Sequence, residues 1–269
     1  MKIILNKNKL LKFIHNDRNL GFVPTMGAIH QGHISLIKKS ISQCKKTIVS
    51  IFINKPQFNK IDDYNRYPRN LKKDIKILKM LKVDYLYLPT SNEIYPFGTN
   101  NKIKVNSFER KLCGKFRPGH FKSIADVVDR FLKIIKPNKV YFGKKDFQQL
   151  IIIKDFVMKN HPKIKVIGCK TIREKNGIAH SSRNLLLSTN EKKIAARVYK
   201  FLLNKKKLIS RRIISSNFIK KKIYNLGVNK IDYIEILDIN KILHPYKKKI
   251  EYKIFIAYYL GKTRLIDNF

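Results

Sequence analysis

The chain has 269 residues, 43% of them hydrophobic, and its 59 Lys and Arg against 18 Asp and Glu give a formal net charge of +41. No apolar run is long enough to cross a bilayer, and Cys44, Cys113 and Cys169 form neither a disulfide framework nor a CxxC pair. Membrane-spanning and disulfide-stapled classes are therefore excluded, and a reducing, cytoplasmic setting is expected.

The first residues interleave Lys and Asn with Ile and Leu and show no secretory signal. Charge alone predicts a polyanion binder. The chain is, however, rich in Lys, Ile, Asn, Tyr and Phe, all with A/T-rich codons, and has no Trp. Its basic residues are spread along the whole chain, including the lysine runs at 205–207 and 220–222, which read as solvated helix faces. Codon bias accounts for such a pattern, so no specific nucleic acid and no membrane partner is expected.

In chain order, residues 1–19 read as a lead-in helix or strand with a turn at Asn16-Asp17. Residues 20–23 form a short apolar strand, ended by Pro24 because proline cannot donate to a sheet ladder. Gly27 loosens the turn. Ile34, Leu36, Ile37 and Ile41 then fall at helical spacing, giving a helix to about residue 43. His30 and His33 thus stand where a strand hands over to a helix, the place where open α/β sheets bind ligands and helix N-termini favour phosphate. His-x-Gly-His spacing puts the imidazoles about one turn apart, within reach of a single phosphate. Capping or core histidines are the plainer alternative. Zinc is a weaker one, since no Cys or carboxylate pattern nearby adds ligands.

A β-branched strand over 47–53 leads into Asn54-Lys55-Pro56-Gln57-Phe58. The Gln57 amide can donate to a carboxylate and accept from a hydroxyl. Asp62 and Asp63 either hold Mg²⁺ through water or, the preferred reading, cap a turn. A helix carrying Leu71, Ile75, Leu78 and Leu81 on one face precedes a strand over 83–88. One further strand is expected near 103–105. Arg117 and His120 bracket a Pro-Gly turn that aims a cation and an imidazole the same way. A helix with Val127, Val128, Phe131, Leu132 and Ile135 follows, ended by Pro137.

The strand over 139–142 runs into Gly143-Lys144-Lys145-Asp146, then a helix with Leu150, Ile153, Phe156 and Val157 on one face. Lys145 suits phosphate, Asp146 suits ribose or a metal-bound water, and Gln149 lies one turn further along the same pocket. After a strand over 166–172, His180-Ser181-Ser182-Arg183 supplies two hydroxyls and a guanidinium that fits triphosphate oxygens bidentately. Beyond residue 189, helices over 190–207 and 211–226 and strands over 231–237, 250–259 and 264–266 read as a small α+β unit. The expected division is 1–173 for a parallel-sheet domain and 174–269 for the second.

The string Pro24-Thr25-Met26-Gly27-Ala28-Ile29-His30-Gln31-Gly32-His33 resembles the pantothenate synthetase family of the His-x-Gly-His nucleotidyltransferases, and the resemblance continues in register through residues 20–190. It is carried further by Phe52-Ile53-Asn54 with Gln57-Phe58, by Asp62 to Arg69, by Glu93 to Pro96, by Arg117-Pro118-Gly119-His120-Phe121, by Lys145-Asp146 with Gln148-Gln149, and by Ser181-Ser182-Arg183. The chain departs from the family pattern at Pro56, which has moved one place; at Ser123 and Asp126, where Gly and Thr are usual; at Lys144, which replaces Glu; and at His180, which replaces Leu or Met. The resemblance implies a Rossmann-like sheet domain with a smaller C-terminal α+β lid domain, and a homodimer. It implies an AMP-forming ligase that joins pantoate to β-alanine with ATP through a pantoyl adenylate, with Mg²⁺ of unknown ligands. Catalytic roles fall on His33, His30, Lys145 and Arg183, with His33 as proton donor or charge stabiliser. ATP contacts fall on Met26, Gly27, Ala28, Ile29, His30, Gln31, Gly32 and His33, on Gly143, Lys144, Lys145 and Asp146, and on Ile172, His180, Ser181, Ser182 and Arg183. Pantoate and β-alanine contacts fall on Asn54, Gln57 and Gln149. A class I tRNA-synthetase-like adenylyl transferase is the runner-up, though no Lys-Met-Ser-Lys-Ser-type loop is present. A non-enzymatic nucleic-acid binder is the third reading, and it lacks helix-turn-helix and RNA-binding aromatic motifs.

Overall fold

The apolar segments of the first half become strands covered on both faces. In the computed structural model, which describes residues 1–211, 213–243 and 251–269, six of them form one parallel sheet: β1 (Lys2–Ile4), β2 (Leu20–Thr25), β3 (Lys46–Ile51), β4 (Tyr85–Tyr87), β5 (Lys139–Gly143) and β6 (Lys165–Cys169). Their order is β1-β4-β3-β2-β5-β6. Side-chain alternation divides the core. Val23, Val49, Leu86 and Tyr141 pack on one face with the helices Gln31–Gln43 and Leu71–Met80. Phe22, Ile48, Tyr87 and Val140 pack on the other with the helices His120–Ile135 and Phe147–Asn160. Burial on both faces is what the unbroken apolar runs require of a parallel sheet.

The second sheet is antiparallel, β7 (Lys230–Asp238), β8 (Tyr252–Leu260) and β9 (Thr263–Asn268), in that order, with the helix Thr189–Ser210 packed on β8. Ile250, expected at the start of the middle strand, lies outside the described residues. Tyr233, Phe255 and Ala257 continue the apolar core of the first sheet into the second. Arg173 bonds both carboxylate oxygens of Asp267, at 2.6 and 2.9 Å. The architecture is therefore a Rossmann-like parallel-sheet domain joined to a small α+β domain. No helix among the described residues is long and apolar enough to cross a membrane.

Several sequence expectations shift, among them the strand expected over 83–88, which is Tyr85–Tyr87, and the helix expected over 211–226, which is Ser216–Asn225; three others have a local cause. Pro24 lies inside β2, which runs to Thr25. Alternate residues of a parallel strand address alternate neighbours: Leu20 accepts from Asn138 on the β5 side, and Thr25 accepts from Phe52 on the β3 side. Pro24 therefore faces β5, where pairing has already ended at Phe22, and its missing N–H leaves no gap in a ladder. Residues 103–105 form no strand. Ile103 anchors an irregular segment by burial, and Asn100 is held by the Asp126 carboxylate at 2.9 Å, so a side chain replaces a ladder partner. β6 stops at Cys169 rather than at Ile172, and residues 170–172 leave the sheet to line a cleft.

The chain leaves β2 outward through β3 and β4, then returns to β5 on the opposite side of β2. The crevice beyond the ends of β2 and β5 is thus the switch point of a doubly wound sheet. The loop after β2 is turned by Gly27 and Ala28, both left-handed with φ of 80° and 50°. Asp74, buried on the helix Leu71–Met80, holds it: one carboxylate oxygen accepts from Ala28 N–H at 2.8 Å and the other from Ile29 N–H at 2.7 Å. Burial lifts the Asp74 carboxyl above its ordinary value, and the two main-chain donors act in the opposite sense. Asp74→Ala orphans both buried donors and should cost about 2 kcal/mol or more of folding free energy. Urea unfolding measures it, and a midpoint equal to wild type would show that the loop does not depend on this carboxylate.

Candidate active site

The start of the helix after β2 decides where the histidines point. His30 is its N-cap, with extended backbone, and His30 Nδ1 accepts from Gly32 N–H at 3.1 Å. An accepting nitrogen carries no proton, so the neutral ring keeps its proton on Nε2. One turn on, the His33 ring stacks on His30 with centroids 4.0 Å apart. His33 Nδ1 is buried without a hydrogen-bond partner among the described residues. His180 lies beyond His30, near-parallel at 6.1 Å, so the departure from the family pattern adds a third ring to the row.

Burial is the main cause that drives the His30 pKa down to about 2, with His33, Lys145 and His180 adding to the fall. Burial also lowers His33, to about 4; Asp146 pulls it upward and Lys145 downward. Both rings are therefore neutral near pH 7 and each offers one N–H as a donor.

Across the switch point, the turn Lys144–Asp146 follows β5 and delivers Lys145, whose Nζ lies 3.2 Å from Asp146 Oδ1. Asn268, near the end of β9, holds this turn by donating to the carbonyls of Lys144 and Lys145 at 3.1 and 2.8 Å. That contact is made with main chain, so it is indifferent to the charge reversal at Lys144. Ser182 Oγ donates to Ala28 O at 3.3 Å and ties the serine–arginine segment to the histidine loop. Arg183 makes a two-pronged pair with Asp63, 3.2 Å from Nε and 2.7 Å from Nη2. Asp63 thus pairs with Arg183 instead of capping the turn, whose N-cap, Lys60, has no side-chain capping bond.

Asn54 stands at the N-cap position of the turn Lys55–Gln57 without a side-chain capping bond, and Pro56 sits in its first positions, where a proline needs no N–H. Asn54 Nδ2 donates to Gln57 Oε1 at 3.1 Å, and Gln57 Nε2 faces Met26 Sδ at 3.0 Å. Ser123 contributes its carbonyl to Asn54, and Asp126 accepts from Arg130 Nε at 2.6 Å.

One cleft of about 320 Å³ is lined by Met26, His30, Gly32, His33, Asn54, Gln57, Gly143, Lys145, Asp146, Gln149, Ile172, His180, Ser181, Ser182 and Arg183. Of the residues expected at the site, Gly27, Ala28, Ile29, Gln31 and Lys144 stand outside this lining. Ala28 and Ile29 are buried with their N–H groups on Asp74, and Gln31 faces solvent. Among the described residues, no group of three His, Cys, Asp or Glu side chains is placed to hold a metal, so the two motif histidines meet no further zinc ligands.

Sequence reasoning missed Asp74 and Asn268. Asp74 had a signal, a carboxylate on the apolar face formed by Ile75 and Leu78. Asn268 had none, because its work is done on main-chain atoms more than a hundred residues away.

The family described as pantoate-beta-alanine ligase matches residues 2–269. The pantothenate synthetase of Endomicrobium trichonymphae is 42% identical over 277 residues, covering 100% of this chain and 97% of that protein. That of Sulfurihydrogenibium sp. is 39% identical over 277 residues, covering 100% and 99%. The crystal structure of the Francisella tularensis pantoate-beta-alanine ligase, complexed with beta-gamma ATP and beta-alanine, superposes with a TM-score of 0.88 at 39% identity, covering 100% of this chain and 97% of that one. With its two-domain fold, its switch-point cleft and a match along its full length, the chain belongs to the pantoate–β-alanine ligase family.

Proposed function

We propose that the chain condenses pantoate with β-alanine, consuming ATP and releasing AMP and pyrophosphate, through a pantoyl-adenylate intermediate. The observation that carries this reading is the convergence of His30, His33, Lys145 and the Ser181-Ser182-Arg183 cluster on one cleft beyond β2 and β5. In the first step a pantoate carboxylate oxygen bonds to the α-phosphorus, and the bond to pyrophosphate breaks. In the second, the β-alanine amine attacks the acyl carbon, AMP leaves with the electron pair, and the amine proton passes to solvent. The substrates bring their own nucleophiles, so no side chain forms a covalent bond.

Charge builds on the phosphorus oxygens and on the leaving pyrophosphate. Neutral His30 and His33 donate N–H bonds there, and Lys145 and Arg183 add positive charge, all fixed before the reaction begins. His33 serves as a charge stabiliser, because a ring neutral at pH 7 has no extra proton to hand over. Arg183, held against Asp63 through Nε and Nη2, turns its remaining N–H donors to phosphate oxygens. Gln57 and Gln149 hold pantoate, with Gln57 also near β-alanine. Mg²⁺ would be held by phosphate oxygens, water and Asp146, whose carboxylate is half exposed at the cleft, and would neutralise phosphate charge. The domain from residue 174 onward closes over the water-sensitive adenylate, and the chain acts as a homodimer.

ATP–pyrophosphate exchange tests the reading: exchange should require pantoate, and exchange driven by an amino acid instead would replace it. His33→Ala should slow that exchange about 10²-fold or more, the scale of losing one preorganised donor. Near-normal turnover would remove His33 from the mechanism.

The same two rings set a pH dependence of stability. Their folded pKa values, about 2 and about 4, lie below the ordinary 6.5, so the unfolded chain binds protons more readily between these values. Stability is then whole above pH 6.5 and falls as the pH drops toward 4, by up to about 1.4 kcal/mol per pH unit for each ring. Urea titrations at pH 7.5 and 5 should show the loss, and His33→Gln should shallow it. An unchanged slope in that variant would contradict a depressed His33.

A further inference from the structure

The Arg117-Pro118-Gly119-His120 turn is absorbed by none of the steps above. Gly119, left-handed with φ of 76°, folds it so that Arg117 and His120 lie side by side. Arg117 Nη1 is 2.9 Å from His120 Nε2. A guanidinium only donates, so Nε2 accepts and the ring proton sits on Nδ1. That nitrogen lies 2.8 Å from the main-chain carbonyl of Gln57, to which Arg117 Nη2 also donates, at 3.1 Å. Burial, with Arg117 close by, keeps His120 well below its ordinary pKa, so the ring holds this neutral form.

The far end of Gln57 is fixed by a second deduction. The carbonyl of Ser123 can only accept, so the Asn54 atom 3.3 Å from it is Nδ2. Asn54 Oδ1 then accepts from Tyr95 OH at 2.7 Å, and the remaining Nδ2 hydrogen faces Gln57 Oε1. Gln57 therefore turns its Nε2 to the cleft, where Met26 sulfur, a weak acceptor, is its partner. An oxygen anion exchanged for that sulfur makes a stronger, charge-assisted bond.

We infer that Arg117 and His120 are positioning residues that act through the Gln57 carbonyl, so that Gln57 presents an N–H to a substrate carboxylate. The inference rests on the proposed ligase reading, in which that carboxylate is pantoate's.

Steady-state kinetics with pantoate and ATP varied in turn test it on His120→Phe, His120→Asn and Arg117→Met. Removing one of the two donors to this partly buried carbonyl in His120→Phe should raise the KM for pantoate about tenfold and leave the KM for ATP unchanged. His120→Asn, which keeps an N–H donor, should recover most of the difference. A folded His120→Phe with wild-type pantoate KM, or with both KM values raised alike, overturns the inference. Should His120→Phe fail to fold, Arg117→Met carries the same expectation and the same refutation. Wild-type protein that lacks pantoate-dependent exchange overturns the ligase reading, and the inference with it, whereas normal wild-type exchange beside an unchanged variant sinks the inference alone.

Discussion

The cleft exists because β2 and β5 stop pairing before either strand ends. Their ladder closes at Phe22 and Val140, while β2 continues to Thr25 against β3 and β5 continues to Gly143 against β6. Pro24 faces the side where the ladder stops, and it has no N–H with which to extend it. The strands can then diverge without leaving an orphaned donor, and the two loops that follow face each other across the gap. His30, His33 and Lys145 hang from that divergence, and Ser181 to Arg183 reach the same gap from the segment after β6.

Divergence alone would leave floppy loops. Each one is held instead by a side chain from a remote part of the chain that bonds to main-chain atoms. Asp74 grips the loop after β2, Asn268 grips the turn after β5, and Arg117 with His120 grip the turn after β3. Asn268 comes from the second sheet, so the position of Lys145 depends on how the two domains pack. These clamps do not touch the reacting atoms in the proposed chemistry. They replace the ordering that substrates would otherwise have to provide on binding, which is the physical content of a preorganised site.

This division explains what the sequence disclosed. Strands buried on both faces leave unbroken apolar runs, and a helix leaves its period, so the sheet, its flanking helices and the His30–His33 pair were legible. Lys145 was legible because polar residues at the end of a parallel strand have few other reasons to be there, and Ser181 to Arg183 because two hydroxyls beside a guanidinium suit a triphosphate and resemble the family pattern. Strand limits at Pro24, 103–105 and Ile172 were not, because each is decided by a neighbour: the end of β5 pairing, the Asp126 carboxylate, the departure of the chain into the cleft. The clamps were the least legible. A side chain that bonds to a peptide group asks nothing of its partner's residue type, so no pattern in one segment points to the other.

Charge shows the same contrast between whole chain and site. The total of +41 is spread thinly and says little about chemistry. Inside the cleft the carboxylates are engaged: Asp63 by Arg183, Asp146 by Lys145, and Asp267 by Arg173. Arg117 has no carboxylate partner among the described residues, and burial with two further guanidiniums nearby lowers its pKa to about 10. The cleft is thus left with more positive charge than its own acids balance. This surplus helps keep the stacked imidazoles unprotonated, since an imidazolium there would face Lys145 and its neighbouring ring. It also favours a ligand that brings several negative charges at once. A bound polyphosphate would relieve the repulsion among Lys145, Arg117 and Arg183, and the relief would add to its binding. The neutral histidines and the cleft's surplus of positive charge are then two sides of one electrostatic arrangement, in which cations gather around a gap that two diverging strands hold open.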